Sequence, residues 1–160
     1  HFDLLYRVNI RGPFICTKAV LPHMVEQKYG HILNISSGGG SRGRGPGPGP
    51  YESAARGSPT YGAGKAQLDQ YTQGLAHELW NHNIGVNSMS PGTAVLSEGQ
   101  VWFAGRAGHE GWRENGEAMG DAAAIIFSRE PRSYTGHNTY DNEILIEEGI
   151  TDFSKYPTVS

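Results

Sequence analysis

Two short apolar runs fix the class of fold open to this chain. His31-Ile-Leu-Asn-Ile-Ser-Ser37 ends at three glycines, and Ile84-Gly-Val-Asn-Ser-Met-Ser90 ends at Pro91-Gly92. Both have the length and composition of buried strands. Each follows a stretch of helical period. Ahead of the first, Leu4, Leu5, Val8, Phe14, Ile15, Ala19, Val20, Met24 and Val25 predict a helix over residues 1–28, kinked at Gly12-Pro13 and stopped by Gly30. Ahead of the second, Leu68, Tyr71, Leu75 and Leu79 stripe a helix over 60–82. Beyond Gly92 come a flap at 93–110 containing Val101-Trp-Phe103, a helix over 111–129, a strand at 138–142 and a loose polar tail at 147–160. The order helix, strand, loop, helix, strand, flap, helix, strand predicts an α/β fold with a parallel sheet.

Residues 38–60 interrupt that order. Their Gly-Pro repeats cannot build a packed core, so the tract reads as a long loop inserted in one domain. A two-domain reading, with the tract linking two binding modules, leaves each flank too small. Length agrees, since 160 residues suit one domain. Thirteen Lys and Arg against 16 Asp and Glu give a net charge of -3, which is not the basic footprint of a nucleic-acid binder. The apolar run Ala122-Ala-Ala-Ile-Ile-Phe127 falls far short of the roughly 18 residues of a membrane span. No nucleic-acid or membrane partner is expected. The single cysteine, Cys16, excludes an internal disulfide framework, reads as core packing and suits a reducing, cytoplasmic compartment. His1-Phe-Asp-Leu-Leu-Tyr6 reads as the inside of a helix with no signal peptide ahead of it, so the chain is expected to start partway through a larger fold. The seven histidines show no ligand spacing, and no metal site is expected. Asn34-Ile-Ser36 is a glycosylation triplet placed in a buried strand.

The chemistry is concentrated at Tyr61-Gly-Ala-Gly-Lys65, where the second long helix begins. Side chains four apart on a helix are neighbours. Tyrosine alone is a poor acid at neutral pH, and a neighbouring cation favours its phenolate. The pair therefore suits proton exchange with an alcohol or a carbonyl. Ser37 and Pro91-Gly92 close the two strands that flank this helix, at the carboxyl ends where open α/β sheets gather their ligands.

Val8-Asn-Ile-Arg-Gly12, Gly30-His-Ile-Leu-Asn-Ile-Ser-Ser37, Tyr61-x-x-x-Lys65 and Val86-Asn-Ser-Met-Ser-Pro-Gly92 occur in one order, and in that order the chain resembles the short-chain dehydrogenase/reductase family. The resemblance implies a doubly wound, Rossmann-type parallel sheet. It implies interconversion of an alcohol and a ketone by hydride transfer with NAD or NADP. By the same resemblance Tyr61 is the acid/base, Lys65 supports it and holds the nicotinamide ribose, Ser37 holds the substrate oxygen, and Asn9 orders a proton relay. Pro91, Gly92, Thr93 and Ala94 line the nicotinamide. Trp102 and Phe103 of the flap are expected to meet an apolar substrate, and a homodimer or homotetramer is implied.

The family's glycine-rich first turn and its Asn-Ala-Gly motif have no counterpart here, so the expected fold is partial, the catalytic half of the sheet. A catalytically silent α/β fragment serving as an interaction or structural module is the alternative that this departure raises. Ser37 and Tyr61 are also further apart than the family has them, and Leu96 stands where it often has threonine, with Ser97 as a substitute. Gly38-Gly-Gly40-Ser-Arg-Gly43 matches a dinucleotide fingerprint, but Gly-Pro repeats follow it in place of the helix such a fingerprint opens, so a solvated loop is expected.

Overall fold

The computed structural model describes residues 2–38, 59–105 and 108–160. The Gly/Pro tract, with its fingerprint-like glycines, lies outside the described residues except for Gly38, Pro59 and Thr60. The elements are α1 (Phe2–Tyr6), a π-helical segment (Arg7–Arg11), α2 (Gly12–Gln27), β1 (Gly30–Ile35), α3 (Pro59–Leu79), β2 (Ile84–Ser90), α4 (Glu98–Ala104), α5 (Glu117–Ser128), β3 (Asn138–Tyr140) and α6 (Asp141–Glu147). Short 3-10 turns stand at Trp80–His82 and Pro131–Ser133. The fold is α/β around a three-stranded parallel sheet in the order β1-β2-β3, the partial Rossmann-like sheet expected. Among the described residues no helix is long and apolar enough to cross a membrane.

The chain divides into two interleaved units. The first comprises residues 1–90 and 129–138, the second residues 91–128 and 139–160.

In the first unit β1 and β2 run parallel, with Gly30 opposite Ile84 and Ile35 opposite Met89. All seven residues of β2 are buried, as expected of a parallel strand covered on both faces. Leu75, Ala76 and Leu79 of α3 meet Ile84 and Val86 of β2 in a core that Leu21, Met24 and Val25 of α2 border. Truncating any of these buried leucines to alanine removes about 2–5 kcal/mol.

The first helix departs from expectation in three places. The irregularity lies in the Arg7–Arg11 π segment, ahead of Gly12-Pro13. A π turn takes an extra residue, so the apolar stripe on either side of it falls out of register. Leu4, Val8, Phe14, Ile15 and Val20 are exposed, and Thr17 is the buried residue of α2. Cys16, expected in the core, is exposed for the same reason. The helix ends at Lys28, in the left-handed region at φ 54°, and Gly30 opens β1. There a side chain would run into Met24, whose thioether Sδ would lie only 2.7 Å from the added Cβ.

The second unit corrects two more boundaries. The helix expected from residue 111 starts at Glu117, where Asn115 accepts the Glu117 N–H at 3.1 Å. The last strand ends at Tyr140, and Asp141 already begins a helix, with Glu143 turning back to accept the Tyr140 N–H. Residues 147–160, expected as a loose tail, contain a buried Tyr156 whose carbonyl accepts from Arg113, and Val159 N–H bonds the Trp112 carbonyl.

Candidate active site

The first unit joins three of the expected residues around Lys65. Its side chain is buried, and its ammonium donates to the Ile35 carbonyl at the end of β1, at 2.7 Å. The same nitrogen lies 5.7 Å from the centroid of the Tyr61 ring, one helical turn earlier on α3. Burial holds the Lys65 ammonium below the ordinary lysine range, and the Asp69 charge opposes that shift. Asn9 sits in the π segment, which crosses α3 closely enough that a side chain at Gly64 would come within 3.9 Å of the Asn9 Cβ. Asn9, Asn34, Ile35 and Lys65 share a groove of about 640 Å³ running between α2 and β1.

Ser37, half-buried, follows two residues after Ile35 on the same segment. Its neighbour Ser36 is fixed by a backbone bond to Met89 of β2 at 2.8 Å. Asn34 of the glycosylation triplet is buried and donates to Thr72 of α3 at 2.9 Å. The strand end that carries Ser37 is thus tied to both β2 and α3.

The second unit holds Pro91, Gly92, Thr93, Ala94 and Trp102. Gly92 donates its N–H to the buried Asp141 carboxylate at 2.6 Å, and that oxygen also accepts the Asn142 N–H at 2.8 Å. A Cβ at position 92 would overlap the Asn142 carboxamide, which would have to move to admit any side chain there. The Ala94 carbonyl accepts from the Arg113 N–H at 2.8 Å. Ser97 caps α4 by accepting the Gln100 N–H at 3.2 Å. Trp102 stands on α4 with 87% of its surface exposed. Phe103 is on the same helix, and its side chain lies outside the described residues.

Two carboxylates of these units have no counterpart among the residues expected from sequence. One is Asp141, which anchors the Gly92 turn across 49 positions. The other is Asp69, buried on α3 and bonded by the Ser88 hydroxyl of β2 at 2.8 Å. Asp69 had a readable signal, the continuation of the Tyr61 and Lys65 spacing by four more residues.

The family model described as short chain dehydrogenase matches residues 1–100. Hydroxysteroid dehydrogenase-like protein 2 of Homo sapiens is 32% identical over 154 residues, covering 96% of this chain and 34% of that protein. A short chain dehydrogenase of Mycobacterium thermoresistibile superposes with a TM-score of 0.76 at 28% identity, over 99% of this chain and 52% of the other. A 3-oxoacyl-(acyl-carrier protein) reductase of Brucella melitensis, solved with bound NAD, gives 0.65 at 27% identity, over 87% of this chain and 49% of the other. The chain spans about a third of the length of the curated relatives it matches and about half that of the solved structures.

Proposed function

The chain belongs to the short-chain dehydrogenase family, and from that premise we propose that it carries the proton-transfer side of an NAD- or NADP-dependent alcohol–ketone interconversion. The observation that carries this reading is the seat of Lys65: a buried ammonium fixed on the Ile35 carbonyl beside the Tyr61 ring.

The donor set fits the reactive end of a nicotinamide nucleotide. An ammonium has three donors, and Lys65 spends one on Ile35, so two are directed elsewhere and suit the vicinal hydroxyls of a ribose. Such a cofactor, when bound, supplies or accepts the hydride. The work of the chain's own residues is protonic. In the reductive direction Tyr61 donates its phenolic proton to the carbonyl oxygen of the substrate; in the oxidative direction it takes the hydroxyl proton. Lys65 stabilises the negative charge that develops on the Tyr61 oxygen. Ser37 holds the substrate oxygen at the end of β1, and Asn9, across the groove from Lys65, orders the path by which the proton is restored. A nicotinamide cofactor agrees with the bound NAD of the Brucella melitensis reductase.

Titration with NADH and NADPH, followed by nicotinamide fluorescence, tests this reading. Saturable binding of one nucleotide, weakened by Lys65→Met, is the expected result. No binding of either nucleotide at millimolar concentration would remove it.

A second copy of this chain is the proposed protein partner. Phe14 and Ile15 of α2 are about half exposed, as are Tyr6 and Val8 ahead of them, and exposed apolar rows of this kind mark association surfaces. Light scattering should give a dimer or tetramer that Ile15→Glu dissociates. A monomer at all concentrations would contradict it.

A further inference from the structure

Asp69 is a buried carboxylate that the proposed chemistry leaves without a task. It is 4% exposed. One of its oxygens accepts from the Ser88 hydroxyl at 2.8 Å, while the other is buried with no hydrogen-bond partner among the described residues. That is an expensive arrangement, since buried polar atoms are normally paired and an unpaired carboxylate oxygen more so than a neutral one. If Asp69 served only to receive the Ser88 hydrogen bond, the carboxamide oxygen of an asparagine would do the same without burying charge. Whatever justifies the charge must lie near it. The nearest turn of the same helix carries the buried Lys65, and side chains four apart on a helix are neighbours.

We propose that Asp69 is a positioning residue for Lys65: Ser88 of β2 holds the carboxylate one helical turn behind the ammonium, so that Lys65 stays protonated while buried on the Ile35 carbonyl. Other groups around Lys65 leave this task to Asp69. On α3 the remaining titratable neighbour is Tyr61. From β1 come the Ile35 carbonyl and the uncharged Asn34, with His31 further along the same groove. The π segment contributes Asn9 to that groove, also uncharged. Ser88, from β2, has a single hydroxyl proton, which it gives to Asp69, with the Asn138 carboxamide also 2.8 Å from its oxygen. Among the described residues, Asp69 is the anionic group that acts on Lys65. The direction agrees: burial lowers the affinity of Lys65 for its proton, and Asp69 raises it.

The functional part of this inference rests on the reading of Lys65 given above, but the test does not. Labelling the lysine side chains with ¹³C and titrating by NMR reads the Lys65 midpoint directly. Lys18, Lys28 and Lys155 are the other lysines, and Lys65→Met identifies the signal. Asp69→Asn keeps an acceptor for Ser88 and removes the charge, so the Lys65 midpoint is expected to fall further below the ordinary lysine range. Asp69→Ala combined with Ser88→Ala removes the same charge and leaves no buried hydroxyl facing a missing carboxylate, and it should lower the midpoint likewise. An unchanged midpoint in either folded variant overturns the proposal. In an active preparation the alkaline limit of turnover should move to lower pH with the Lys65 midpoint. A midpoint that falls while the alkaline limit stays fixed leaves Asp69 as the counter-charge and refutes the catalytic role of Lys65 instead.

Discussion

Tyr61→Phe is expected to lower turnover by roughly a hundredfold to ten-thousandfold, the range of a positioned acid/base, while the fold and nucleotide binding persist. Phenylalanine keeps the ring that packs beside the Lys65 ammonium and deletes only the oxygen proposed to exchange the proton. The contrast separates chemistry from structure. Circular dichroism and the NADH midpoint should match the parent protein, and only the rate should collapse. Activity within about tenfold of the parent would end the assignment, since that is less than a positioned acid/base contributes.

Asn87→Ala is expected to destabilise the protein by about 2–6 kcal/mol, because it leaves two backbone groups unpaired at about 1–3 kcal/mol each. Asn87 is fully buried on β2. Its amide donates to the Tyr134 carbonyl at 2.9 Å, and its carbonyl accepts the His137 N–H at 3.0 Å. One side chain thereby satisfies both groups of the segment that runs alongside β2 before Asn138. The loss should appear as a lower urea midpoint with an unchanged slope, the signature of altered stability without altered exposure. A midpoint equal to that of the parent would mean that these bonds are replaced by water at no cost.

The legible parts of this fold were those written in local pattern. β1 and β2 are apolar runs cut off by glycine or proline, and α3 shows its buried Leu68, Leu75 and Leu79 at helical steps. The Tyr61 and Lys65 pair was legible for the same reason, being one turn apart. The unread features depend on partners distant in sequence or on the backbone itself. The π segment shifts hydrogen bonds by one residue without changing any residue type. Lys28 adopts a left-handed conformation uncommon outside glycine, and Asn83, 55 positions away, donates to its carbonyl at 3.2 Å. The receiver of the Lys65 ammonium is a main-chain carbonyl, which no residue type announces. Ser88 lies 19 positions from Asp69, so their bond exists only once β2 lies against α3. The seven-residue α6 was hidden because its first residues, Asp141 and Asn142, also suit the end of a strand.

The interleaving of the two units dictates when this protein can fold during its own synthesis. When the ribosome has released residues 1–90, β2 has its β1 partner, but the segment 134–137 that Asn87 brackets has not yet been made. The 48 residues from Pro91 to Asn138 must first be translated, which at about 5–20 residues per second takes roughly 2–10 s. Throughout that interval a strand that ends up fully buried presents one bare edge to the medium that receives the nascent chain, the situation in which strands pair wrongly. Completion of the second unit then waits on residues 139–160. Translation speed across 91–138 is therefore a variable of folding yield for this chain, and slowing it lengthens the time a chaperone must guard β2.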